Sequence, residues 1–148
     1  MIQEAYCSYE VAKLLKEKGF NENTICKYAD IGGITEKWYD DYRERVLRFD
    51  WNEGYLIEPL TEPKDQYEII GDTISAPTHQ MAMSWLREVH GIFIAINNDD
   101  LDFNWQCYDL INRGSTLDPK ILSESYAGYK TYEEAVEAAL KYCLENLI

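Results

Sequence analysis

Chemistry in this chain would have to come from very few residues. There are two histidines, His79 and His90, and four cysteines, Cys7, Cys26, Cys107 and Cys143. The histidines share one predicted helix, close to three turns apart, so they lie on one flank with about 16 Å of helix rise between them. One metal ion cannot reach both. The helix dipole favours a neutral imidazole at His79, in the first turn, and a cation at His90, in the last. Helix-end placement accounts for both residues. Catalysis by either needs an orienting carboxylate and a nucleophile from elsewhere in the chain.

No two cysteines form a CxxC pair, so zinc-ribbon and thioredoxin motifs are absent. Cys143 falls on the apolar stripe of a predicted helix, and Cys26 and Cys107 fall in predicted strands. Cys7 lies just before the first helix and is expected to be the most exposed thiol, in a place where a thiolate is activated. The pattern predicts buried or half-buried thiols in a reducing compartment, with the protein cytoplasmic.

Other motifs carry less. Asn98 to Asn104 offers oxygen ligands at alternate positions, like the opening of a calcium loop. It lacks the glycine at position six and the glutamate at position twelve, so it reads as a hairpin turn. Gly32-Gly33 stands alone, without a phosphate-binding glycine pattern, and neither GxSxG nor HExxH occurs. Asp40-Asp41 reads as a solvated pair. The sequence therefore assigns no catalytic residue, no metal and no cofactor.

Charge narrows the partners. The 148 residues hold 14 Lys+Arg against 27 Asp+Glu, a net charge of −13. Phosphate backbones and anionic membranes would repel such a chain, which argues against direct nucleic-acid or membrane binding. No apolar run approaches the roughly 20 residues that span a bilayer. The excess is uneven: residues 30–72 hold twelve acids and five bases, whereas residues 1–29 and 73–95 balance. Trp38, Tyr39, Tyr42, Trp51 and Tyr55 crowd the same acidic region. They either pack on a sheet or, beside Asp40 and Asp41, form a binding surface, since aromatic anchors dominate binding energy. A protein partner or a second copy would be its occupant.

These residues need elements to hold them. Ser8 is an N-cap, Val11, Leu14 and Leu15 make an apolar face, and Gly19 ends the first helix, with Phe20 folding back. Residues 25–29, 45–49 and 55–57 read as strands, with Lys37 to Glu44 a loop or helical turn and residues 59–77 an irregular connection. A second helix starts near Thr78 with the stripe Ala82, Trp85, Leu86 and Val89, and Gly91 stops it. Ile92–Ile96 reads as a buried strand, Asn97–Asp102 as a turn and Phe103–Ile111 as a returning strand. Thr131 and Glu134 form a capping box before the stripe Tyr132, Ala135, Val136, Ala139, Leu140, Cys143, Leu144 and Leu147. The order α-β-β-α-β-β-α predicts a single α+β domain with helices packed on an antiparallel sheet.

Ile74-Ser75-Ala76-Pro77-Thr78-His79-Gln80, then Trp85-Leu86-Arg87-Glu88, make a distinctive pair. With Leu14 to Phe20 and Tyr132-Glu133-Glu134-Ala135, they give the chain a family look. It resembles small uncharacterised proteins encoded in phages, prophages and mobile elements of gut bacteria. That family has no assigned activity, so the resemblance implies a genomic context and no catalytic residue. The expectation is a non-catalytic accessory protein that binds another protein. The alternatives are an acidic DNA-mimic inhibitor of a nucleic-acid-processing enzyme, and a small enzyme with a His/Cys or carboxylate site.

Overall fold

Each helix begins at the residue whose side chain can accept its free N–H groups. The Ser8 hydroxyl accepts from Val11 N–H at the start of α1 (Tyr9–Glu17). Thr78 accepts from Met81 N–H at the start of α2 (His79–His90). Thr131 accepts from Glu134 N–H at 3.1 Å, opening α3 (Tyr132–Asn146). The Glu134 carboxylate returns to the N–H of Lys130, one residue before the cap, a shifted form of the capping box. At the other end of α2, Gly91 takes φ 66°, and a Cβ there would lie 2.4 Å from the Ile111 side chain. Glycine alone serves both demands.

The computed structural model describes the backbone of residues 4–22, 24, 26–31, 34–39, 55–59, 67–111 and 120–148. Side chains are described for 4–22, 24, 26–28, 74–111 and 120–148. The class is α+β, with helices and two antiparallel sheets. Among the described residues four strands precede α2 and three follow it, where the sequence pattern predicts two and two. The chain divides into two compact units, Ser8–Pro77 and Met1–Cys7 with Thr78–Ile148.

The Ser8–Pro77 unit holds α1 and a sheet of β1 (Cys26–Ile31), β2 (Ile34–Tyr39), β3 (Tyr55–Pro59) and β4 (Tyr67–Ala76) in the order β2-β1-β4-β3. Val11, Ala12, Leu15 and Phe20 are buried, as are Cys26, Tyr28 and Ala76, and α1 packs on β4. Phe20 N–H bonds the Leu15 carbonyl, the expected fold-back. Two expectations change. Lys37 to Tyr39 is strand, paired with β1, rather than loop or helical turn. Tyr67–Ala76 is a ten-residue strand where an irregular connection is expected. It pairs with β1 on one side and β3 on the other, and such pairing overrides the poor strand propensity of Glu68, Gly71 and Asp72. The expected strand at 45–49, the turn at 52–54 and Gly32-Gly33 lie outside the described residues.

The other unit builds a sheet from β5 (Ile92–Asp99), β6 (Asp102–Asp109) and β7 (Lys120–Glu124), in that order. Both α2 and α3 pack against β5, and α3 also covers β6. Strand alternation sends Ile92, Ile94, Trp105 and Cys107 inward, all buried. They meet Ala135, Val136, Ala139, Leu140, Cys143 and Leu144 of α3, the stripe expected from sequence. Trp105 lies against Tyr142, ring centroids 5.0 Å apart. β5 is not buried on both faces as predicted, because Phe93 points outward and is exposed. Val89 is likewise exposed rather than part of the α2 core. The hairpin turn shrinks to Asp100-Leu101, with Asp100 at φ 55°, a conformation Asp adopts more readily than most residues.

Candidate functional site

The aromatic and acidic residues singled out by sequence are only partly placed. Trp38 and Tyr39 end β2, opposite Lys27 and Cys26, and Tyr55 opens β3, opposite Asp72. Asp40, Asp41, Tyr42 and Trp51 lie outside the described residues. The side chains of residues 30–72 are likewise outside them, so the acids there bring no observation to the DNA-mimic expectation.

A different group of residues does converge. The segment Ala5–Cys7 lies antiparallel to the start of α2: Tyr6 bridges Thr78, and His79 N–H bonds the Ala5 carbonyl at 2.9 Å. This holds Cys7 beside the helix end, with its Sγ 4.0 Å from the Thr78 carbonyl. Cys7 is 0% exposed, which reverses the expectation of an exposed thiol. The reason is this backbone pairing, which turns the residue inward before α1 begins. His79, first residue of α2, is buried, and its Nε2 lies 3.0 Å from Glu137 Oε1 on α3. The Cys7 sulfur, a His79 ring nitrogen and a Glu137 carboxylate oxygen all lie within 4.8 Å of one another. His79 Nδ1 is closed off from solvent and has no hydrogen-bond partner among the described residues.

The residue that sequence reasoning missed is Glu137. A signal was present: Glu137, Leu140 and Leu144 stand at i, i+3 and i+7, so an acid shares a flank with the apolar stripe. Such an acid must meet water at the stripe's edge or a polar partner within.

The remaining candidates are packing groups. The His90 ring stands edge-on to Trp85 at 4.7 Å, and its Nε2 is buried without a hydrogen-bond partner among the described residues. All four cysteines are buried thiols outside any disulfide. The hydrogen bond between Cys143 and Cys107, with burial adding to it, pushes the Cys143 thiol well above its ordinary range. At the Asn98–Asn104 hairpin, Asp102 is taken up by Lys130 at 3.0 Å.

The outer face of β5-β6-β7 is the second notable surface. Phe93, Tyr108 and Ile121 lie opposite one another across the three strands, and Phe93 and Ile121 are exposed. Beside them runs a polar ladder: Asn97 donates to Gln106, Gln106 donates to Glu124, and the Tyr108 hydroxyl donates to Gln106 at 2.6 Å. Among the described residues no helix is long and apolar enough to cross a membrane. No family model, no curated protein and no solved structure matches the chain.

Proposed function

We propose that this chain is a cytoplasmic, non-catalytic accessory protein of phage or mobile-element type that works by binding another protein. The supporting observation is the open face of β5-β6-β7, where Phe93, Tyr108 and Ile121 make an apolar row beside a polar ladder. Aromatic anchors rimmed by polar groups are the usual make-up of an interface centre. Charge selects the occupant. Asp99 and Glu124 share this face by strand alternation, and the chain carries −13 overall. A second copy would bring like charge to like charge, so the partner is a basic protein. Four cysteines outside any disulfide suit a reducing compartment.

The test pairs wild type with a double variant, Phe93→Ser with Ile121→Ser. Wild type should retain a specific basic protein from host lysate, less of it at high salt, and the folded double variant should lose it. Equal capture by both, or none by either, overturns the reading. A homodimer by light scattering that the double variant dissolves would give the face to a second copy instead.

One observation favours a second reading, a small enzyme: the convergence of Cys7, His79 and Glu137. There the imidazole takes the thiol proton and the carboxylate orients the ring. It requires the sulfur to be reachable, so iodoacetamide should label Cys7 rapidly in the folded protein. Labelling only after denaturation removes this reading.

A further inference from the structure

The strongest unassigned feature is the thiol, imidazole and carboxylate gathered at the start of α2. His79 Nε2 faces Glu137 Oε1 at 3.0 Å, while Nδ1, on the other side of the ring, is buried. Nε2 is therefore the ring nitrogen that can share a ligand with the thiol and the carboxylate, with the proton left on Nδ1.

We propose that Cys7, His79 and Glu137 bind a divalent zinc-class metal ion. Three arguments converge. The first is ligand type: a thiolate, an imidazole and a carboxylate together suit Zn²⁺ and exclude magnesium or calcium, which take oxygen ligands alone. The second is geometry. Bonds of about 2.0–2.3 Å at tetrahedral angles put ligand atoms roughly 3.3–3.6 Å apart. The ring nitrogen and carboxylate oxygen already stand 3.0 Å apart, and no pair of the three ligand atoms exceeds 4.8 Å. Closing the set takes a shift on the order of 1 Å, within reach of side-chain rotation. The third is charge. A thiolate and a carboxylate cancel a divalent cation, and the neutral imidazole adds nothing, so the loaded centre is neutral. A neutral centre is what a buried place at Cys7 and His79 tolerates.

The elements are arranged for it. Cys7 is fixed by the backbone pairing of Tyr6 with Thr78, His79 by the α2 cap, and Glu137 by the α3 stripe. All three belong to one compact unit. Three protein ligands leave a fourth corner, which water fills from the Glu137 side, where the side chain is 26% exposed.

The test uses the whole reduced protein, stripped with a chelator, and Co²⁺ or Zn²⁺ alone. One Co²⁺ per chain should bind with a thiolate-to-metal absorption band, and Zn²⁺ should displace it. Cys7→Ser should abolish the band, and Glu137→Gln should weaken Zn²⁺ binding at least tenfold. Cys107→Ser and His90→Phe should leave both unchanged. Because Cys7 is buried and its replacement can disturb folding, Glu137→Gln carries an independent readout: Zn²⁺ should raise the melting temperature of wild type and not of this variant. The proposal is overturned if folded wild type binds no Co²⁺ at one per chain. It is equally overturned if the band survives in Cys7→Ser, or if Zn²⁺ stabilises Glu137→Gln as much as wild type. None of these outcomes bears on partner binding at the β5-β6-β7 face.

Discussion

The two ends of α2 carry the same residue type and use it in opposite ways. His79 is joined to a carboxylate on another helix and stands beside a thiol. His90 presents its ring to Trp85, and its Nε2 has no partner among the described residues. The difference does not lie in the helix, which offers each histidine one terminal turn. It lies in what crosses that turn. The Ala5–Cys7 segment and α3 bring polar atoms to the first end. At the second end Gly91 closes the helix and Ile111 packs on it. A helix-end histidine becomes a site only when other elements supply partners.

The comparison breaks most readily at His79. His79→Leu removes the imidazole and leaves a half-buried Glu137 oxygen without its donor, which should cost about 2 kcal/mol, read by denaturant melting. Next comes Gly91→Ala, which combines a left-handed backbone with a collision at Ile111. It should cost about 1–2 kcal/mol in the same measurement. The smallest effect belongs to His90→Phe. It keeps an aromatic ring against Trp85 and removes an unpaired nitrogen, so stability should change by less than about 0.5 kcal/mol. If His90→Phe proved as damaging as His79→Leu, the two ends would be equivalent and the distinction would fall.

Helices were legible because their signals are local. Ser8, Thr78 and Thr131 stand at the starts, Gly19 and Gly91 at the ends, and the α3 stripe has no gap. Strands were legible only where their own residues favour them, as in Ile92–Ile96. Tyr67–Ala76 escaped notice because Glu68, Gly71 and Asp72 argue against a strand until β1 and β3 pair with it. Lys120–Glu124 escaped because five residues carry too little pattern. The Cys7, His79 and Glu137 cluster was illegible for a stronger reason. His79 and Glu137 are 58 positions apart, and Cys7 is further from both. No spacing rule reaches across such distances; only the fold brings them together. The residue types alone say only that catalysis at either histidine would require a carboxylate and a nucleophile from elsewhere.

The pairing of Ala5–Cys7 with the start of α2 also has a history in time. On the ribosome, Cys7 is made long before Thr78, and the whole Ser8–Pro77 unit emerges between them. The inner unit can complete itself while the early segment waits, its partners not yet translated. The start of α2, and later α3 with Glu137, then close on the first residues made. These few residues are therefore made first and must wait for their partners. A chain started at residue 8 would keep the residues of every described strand and helix and lack the strap that pairs with the start of α2.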